Sequence, residues 1–315
     1  MNLVGLASYL VFFLTLAGVY ALMAQGLNVQ WGYAGMLNVG VAAFFAIGAY
    51  ASAILTTGAS DGHLGGFGVP WPLGFIAAMA VAGLLGLGIG MVTLNLRSDY
   101  LAIASIGIAE IVRLVLKNEE WLTGGVRGIA GIPRPLDGLI EGQNALLLLA
   151  LIVALILVVH WALERAHRSP WGRVLRGIRD NETAARAMGK NSLVHRMQAF
   201  VMGCAIMGLA GAAYAHFVGF ISPEAFDPVF ATFIVWVMLI AGGSGNNKGA
   251  ILGAVVIWAV WSGTQFLTGH FPAEHQTQAG ALRVLMIGVL LQVILIFRPE
   301  GLLPEKPPAP IWRKE

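Results

Sequence analysis

Long apolar segments, separated by short connectors, dominate this sequence of 315 residues. A helix needs about 20 mainly apolar residues to cross the hydrocarbon core of a bilayer. Hydrophobic residues make up 57% of the chain and charged residues 11%, and the mean hydropathy is +0.77. Soluble domains carry about 25% charged residues. The sequence therefore predicts an all-α polytopic membrane protein.

Windows of about 20 residues indicate nine spanning segments, within a range of eight to ten. They cover 8–27, 34–56, 72–95, 100–117, 145–163, 194–217, 229–241, 249–268 and 280–297. The second segment contains three glycines and Asn38, and the seventh is short and ends in GGSGNNKG. Broken segments at membrane depth are tolerated where the backbone faces protein or a wet cavity, and they often mark a transport path. We therefore expect broken or re-entrant segments at these two places.

The distribution of basic residues predicts how the spans are oriented, because Lys and Arg accumulate on the cytoplasmic side. If the spans alternate, fourteen of the nineteen Lys and Arg residues fall on one side, three on the other and two within spans. The side with fourteen is expected to be cytoplasmic. The N-terminus then lies outside for nine spans, and inside if the segment 34–56 crosses twice.

Several classes of function are disfavoured by composition. The net charge of +3 gives no reason to expect a nucleic-acid partner, and the single cysteine, Cys204, leaves no intrachain disulfide or cysteine metal site. His216 has no second His or acid at the spacing of a metal-ligand pair, and His160 has only Glu164, four residues further on. We expect no metal, no cofactor and no catalytic residues.

The most charged stretch of the chain, RVLRGIRDNETAARAMGKN at 173–191, lies between two apolar runs. Ser169 followed by Pro170 predicts a helix start, with the hydroxyl as cap and proline at the first helical position. Asp180 and Asn181 can cap a second short helix, and a glycine follows it that can adopt a left-handed stop. The pattern predicts two short helices at the membrane surface.

Small alanines beside a capped acid indicate that this segment binds another protein. Contact with anionic headgroups accounts for its arginines but not for its alanines. We therefore favour a docking surface over a purely electrostatic role. The residues assigned to it are Arg173, Arg176, Arg179, Asp180, Asn181, Glu182, Ala184, Ala185 and Gly189.

Ionisable groups within spans are functional candidates because they are costly at membrane depth. Glu110 and Arg113 lie three residues apart and can either meet the two charges of a passing zwitterion or neutralise each other at a helix contact. We favour the second interpretation. The full set of candidate pathway residues, including polar groups in the outer loop 118–144, is Asn38, Ser105, Glu110, Arg113, Thr123, Gly124 and Gly125.

Four stretches resemble the branched-chain amino acid permease family of ABC importers, LivM-type. They are LNVQWGYAGMLNVGVAAFFAIGAYASAIL (27–55), LRSDYLAIASIGIAEIVRLVLKNEEWLTGG (96–125), RSPWGRVLRGIRDNETAARAMG (168–189) and FRPEGLL (297–303). The third also looks like the cytoplasmic coupling loop of ABC-importer permeases, although its Glu182, Ala184, Ala185 and Gly189 depart from the generic spacing.

The resemblance implies a type II ABC-importer-like permease domain over 1–303, with a coupling loop at 168–192 and a cytoplasmic tail at 304–315. It also implies a bacterial inner-membrane location, a second homologous permease subunit, two cytoplasmic ATP-binding subunits and a periplasmic amino acid-binding protein. The sequence lacks the phosphate-binding pattern G-x-x-x-x-G-K-[ST]. ATP hydrolysis is therefore expected on the partners, and this chain is expected to be a transport subunit rather than an enzyme.

Three alternatives stay open. A related permease group imports urea and short amides, and its members share the same architecture. An ion-coupled secondary carrier would carry paired repeats with acids at the midplane, of which this sequence offers Glu110 alone. A structural membrane protein would need neither broken spans nor a coupling segment.

Overall fold

The computed structural model describes residues 3–59, 62–94, 98–136, 144–268 and 276–305. The helices are α1 Leu3–Asn28, α2 Val41–Thr56, α3 Trp71–Thr93, α4 Ser98–Asn118, α5 Glu120–Thr123, α6 Asn144–Arg168, α7 Pro170–Asp180, α8 Glu182–Ala187, α9 Ser192–Val218, α10 Pro228–Gly242, α11 Asn247–Thr268 and α12 Gln276–Phe297. Two short strands, β1 Ile129–Ala130 and β2 Phe220–Ile221, pair antiparallel. Residues 137–143 of the predicted outer loop and 306–315 of the predicted tail lie outside the described residues.

Each of the nine predicted segments contains a helix, but not all of these helices meet the requirements of a span. Within the described residues, six helical stretches are long and apolar enough to cross a membrane: Gly5–Tyr33, Trp71–Thr93, Asn144–Arg168, Ser192–Val218, Pro223–Gly242 and Gly280–Phe297. Helix α2 has only 16 residues, α4 carries several charged side chains, and α11 is not among the six either. The all-α polytopic architecture is confirmed, whereas the count of about nine spans is not.

Helix α9 lies at the centre of the bundle and contacts α1, α2 and α3 extensively. Close approach is possible because glycines face each other across the contacts. A Cβ atom at Gly48 of α2 would overlap the backbone of Gly208, and one at Gly211 would overlap the carbonyl of Phe45. Small residues at such crossings allow the close van der Waals packing that holds helices together in a bilayer.

Contacts along α9 fix the directions of its neighbours. Helix α1 runs antiparallel to it, since Phe12 stacks near Phe217 with ring centroids 5.2 Å apart, while Gln30 donates to the Phe200 carbonyl. Helices α7 and α8 precede α9, and we call their side of the bundle the α7 end. Strand β2 follows α9, and its pair with β1 lies at the opposite side, which we call the β1 end.

The second predicted segment is broken, as its glycines and Asn38 indicated. Helix α1 continues into a π-helical turn at 29–33, and the chain is not helical from 35 to 40. Gly35 adopts a left-handed φ of 66° in this link. Helix α2 then begins at Val41, which has no exposed surface, so this helix starts inside the protein.

Candidate functional site

Helices α7 and α8 coincide with the two short helices that the charged segment predicts. Pro170 begins α7 as expected, but the predicted cap at Ser169 is wrong, because its hydroxyl donates to the Ala166 carbonyl at 2.7 Å instead. The Asn181 side chain accepts from the Ala184 amide at 2.9 Å and caps α8. Gly189 ends the segment with a φ of 77°. Pro170, Asn181 and Gly189 therefore mark the start of α7 and both ends of α8 from local sequence alone.

The outward face of this segment combines small, apolar and charged residues. Ala184, Ala187 and Met188 are exposed, and Met188 is 73% exposed despite its apolar side chain. Glu182 forms ion pairs with Arg186 at 2.6 Å and with Arg196 at 3.5 Å. Exposed apolar side chains surrounded by polar groups are typical of protein-binding surfaces.

The remaining residues assigned to the docking surface differ in their exposure. Arg173, Asp180, Asn181 and Gly189 are exposed, whereas Ala185 is buried. Ala185 therefore packs beneath α8 and lies on the face opposite its exposed alanines.

Arg179 points from α7 into the protein instead of outward. Its guanidinium donates to the carbonyl of Gly32 and pairs with Glu305 at 2.8 Å and with the neighbouring Asp180 at 3.1 Å. Burial lowers the pKa of Arg179, but the hydrogen bond and the charge of Glu305 raise it more, so the net pKa lies above its ordinary value. This side chain joins α7 to the π-helical turn at the end of α1.

A buried polar network continues from that turn toward α6 and α11. The Asn28 amide and the Tyr33 hydroxyl both donate to Asn247 Oδ1, at 3.0 Å and 2.5 Å. Asn247 Nδ2 in turn donates to Glu164 at 3.2 Å, and the Gly245 amide donates to Asn28 Oδ1 at 2.8 Å. Three parts of the chain that lie far apart in sequence therefore meet at the α7 end.

Asn38 and Ser105, two candidate pathway residues, hold the non-helical link before α2. Asn38 Nδ2 donates to Gln30 Oε1 at 2.8 Å, and Asn38 Oδ1 accepts from the Gly40 amide at 2.8 Å. Ser105 Oγ accepts from the Val39 amide at 2.9 Å. The bonds to the Val39 and Gly40 amides satisfy backbone groups that the break leaves without helical partners.

Glu110 and Arg113 form two hydrogen bonds with each other, at 2.6 Å and 3.0 Å. Arg113 also contacts Glu224 at 3.4 Å, and Lys117 pairs with Glu224 at 2.8 Å. Glu224 did not stand out in the sequence, because it lies alone in the short connector before α10. The four charges form one alternating network toward the β1 end.

Thr123, Gly124 and Gly125 form a compact turn at the β1 end. The Thr123 hydroxyl lies 2.7 Å from the Leu116 carbonyl and accepts from the Gly125 amide at 3.2 Å. Gly124 and Gly125 have left-handed φ values of 74° and 57°. The bundle separates this turn from the surface helices, so the candidate residues occupy two distinct places.

The chain is similar to known transport proteins over most of its length. Residues 9–295 match the family described as "Branched-chain amino acid transport system / permease component". The high-affinity branched-chain amino acid transport system permease protein LivM of Escherichia coli (strain K12) is 33% identical over 92% of this chain and 69% of the relative. A probable branched-chain amino acid transport permease protein LivM of Methanocaldococcus jannaschii is 30% identical over 92% of each chain.

A more distant relative is the permease protein LivH of Escherichia coli (strain K12), which is 24% identical over 91% of this chain. No solved structure gives a significant match. The family match over 9–295 includes the surface helices, the broken segment and the central helix α9. The chain therefore belongs to the branched-chain amino acid transport system permease family.

Proposed function

We propose that the chain is the membrane-spanning permease subunit of an ATP-driven importer for branched-chain or related amino acids in the bacterial inner membrane. The two LivM relatives support this substrate class over urea and short amides. An ion-coupled carrier is less well supported, because the midplane acid it needs would be Glu110, which is already paired with Arg113.

The bond from Arg179 to Gly32 is the observation that carries the proposal. Gly32 belongs to the turn that leads into the non-helical link before α2. Movement of α7 would therefore act directly on the most irregular part of the membrane domain. Rigid helices that shift against their neighbours are a common way to transmit such movements.

The energy source in this proposal is a pair of cytoplasmic ATP-binding subunits. Ala184, Ala187 and Met188 would contact these subunits, while Arg173 and Glu182 would set the charge around the contact. Arg176, Arg179 and Ala185 would act from beneath, by fixing the position of α7 and α8. Asp180 and Asn181 would shape the junction between the helices, and Gly189 would end the surface.

The transport path would include the link held by Asn38 and Ser105. An unpaired backbone group at this depth would be costly. The side chains of Asn38 and Ser105 can keep the amides of the link paired, and these bonds can be exchanged for others when the link moves. Glu110 and Arg113 would neutralise each other beside this path. Thr123, Gly124 and Gly125 would shape the β1 end, where a second permease subunit and a periplasmic binding protein complete the importer.

Reconstitution of the assembled importer tests the proposal. Proteoliposomes that contain this chain, the second permease and both ATP-binding subunits should accumulate radiolabelled leucine only with ATP and a binding protein. The control replaces ATP with a non-hydrolysable analogue, which should abolish uptake. Leucine uptake by the purified chain alone under an ion gradient, or ATP-dependent uptake of urea but not leucine, would contradict it.

A further inference from the structure

A cavity of about 290 Å³ opens at the α7 end, between the last turn of α6, helix α7 and the start of α11. Its wall includes three basic side chains, Arg168, Arg176 and Lys248, together with Glu164 and His167. The first residue of α11, Asn247, also faces it. None of these side chains except Arg176 belongs to the surface through which we propose that ATP hydrolysis is coupled.

The cavity carries an excess of positive charge that the described residues do not neutralise. The Glu164 carboxylate forms an ion pair with Arg168 at 2.6 Å, so these two charges balance each other. Arg176 donates instead to Nε2 of His167 at 2.6 Å, which requires that nitrogen to be unprotonated. Across the described part of the chain, no carboxylate forms an ion pair with Arg176 or Lys248.

The position of the cavity along the bundle matches the headgroup region of a bilayer. Helix α6 is one of the six stretches able to span the membrane, and it ends at Arg168. Helix α11 begins at Asn247 beside it. The cavity therefore lies where a spanning helix leaves the hydrocarbon core. Basic pockets between membrane helices at this depth bind anionic lipid headgroups.

We propose that this cavity binds the phosphate group of an anionic phospholipid, with Arg176 and Lys248 as its cationic contacts. His167 holds the guanidinium of Arg176 in place, and the acyl chains run along α6 and α11. Because Arg176 belongs to α7, a bound lipid would also fix α7 against α6. Phosphate dissolved in the aqueous phase offers the same oxygens, so the experiment separates the two sources.

The test measures lipid association with the full chain in phosphatidylcholine nanodiscs that contain spin-labelled phosphatidylglycerol. The wild-type chain should immobilise labelled phosphatidylglycerol in preference to labelled phosphatidylcholine. Arg176→Gln combined with Lys248→Gln should reduce this preference by about fivefold for each charge removed, the equivalent of about 1 kcal/mol each. Arg176→Lys keeps the charge and should retain most of the preference.

The matched control is Arg165→Gln combined with Lys190→Gln. It removes two exposed basic residues near the same end of the bundle but outside the cavity. An equal loss of preference in both double variants would overturn the proposal, since the lipid would then respond to overall charge. Displacement of the labelled lipid by millimolar inorganic phosphate would also overturn it, because free phosphate would then be the occupant.

Discussion

Arg179 of α7 donates a hydrogen bond to the carbonyl oxygen of Gly32, in the π-helical turn where α1 ends. The two residues are 147 positions apart in the sequence. The same guanidinium pairs with Glu305, and both side chains of this pair are 24% exposed. A half-buried cation thus connects a surface helix, a broken transmembrane segment and the segment after the last helix.

Replacing Arg179 with Ala should destabilise the chain, because it leaves the Gly32 carbonyl and the Glu305 carboxylate without this donor. We expect a loss of about 1–3 kcal/mol, measured as a lower melting temperature in detergent. Arg165→Ala removes an exposed arginine and serves as the control. In the double variant Arg179→Ala with Glu305→Ala, the loss of stability should be smaller than the sum of the losses in the two single variants. Full additivity would show that the pair is not coupled.

Replacing Gly48 with Ala should disrupt the contact between α2 and α9. The added methyl group would overlap the backbone of Gly208, which has no flexible side chain that can move away. Overpacking of this kind costs about 1–3 kcal/mol. Gly88→Ala is the matched control in α3, since a Cβ there meets no atom within 4 Å. Equal melting temperatures for the two variants would refute the close packing described here.

Neutralising Glu110 and Arg113 together should have little effect on uptake. The two side chains satisfy each other with an ion pair of 2.6 Å, and partly exposed pairs contribute about 0.2–1 kcal/mol. We expect Glu110→Gln with Arg113→Gln to keep leucine uptake within about threefold of the wild type. A loss of uptake beyond tenfold, with normal amounts of folded protein, would instead indicate that these charges meet the substrate.

Truncating Met188 should weaken assembly with the ATP-binding subunits. This side chain is 73% exposed on the outward face of the surface segment. Met188→Ser should weaken assembly by about five- to thirtyfold, as is typical of an apolar contact residue at an interface. Arg165→Ser provides a substitution of the same type outside that face. If Met188→Ser co-purifies with the ATP-binding subunits as well as the control does, the outward face is not the contact.

Changes at Glu182 and Gly189 should separate ATP hydrolysis from uptake. Glu182→Gln loses the ion pairs to Arg186 and Arg196, and Gly189→Val forces a β-branched residue into a left-handed conformation. We expect ATP hydrolysis to continue while leucine uptake falls in each variant. Assembled importers that carry both changes and still transport leucine normally would argue against a coupling role.

Features encoded by nearby residues could be predicted from the sequence, and features that depend on distant partners could not. The cap at Asn181, the stop at Gly189 and the break near Asn38 follow from local chemistry. The inward direction of Arg179 depends on Gly32 and Glu305, which only the tertiary fold brings near.

Helix periodicity predicted only part of the charged network around Arg113. The spacing of Glu110 and Arg113 predicted their pairing, because residues three apart share a helix face. Glu224 joins that pair from 111 residues away. Ser169 failed as a cap because its hydroxyl found a partner in the preceding turn of α6.

Site-specific cross-linking tests the central claim most directly. Cys204 is the single cysteine and is buried, so Met188→Cys introduces the one accessible thiol. In the assembled importer this thiol should cross-link to an ATP-binding subunit, whereas Val126→Cys at the β1 end, also exposed, should not. A Met188→Cys cross-link to the periplasmic binding protein, or labelling of that thiol from the periplasmic side, would contradict the account.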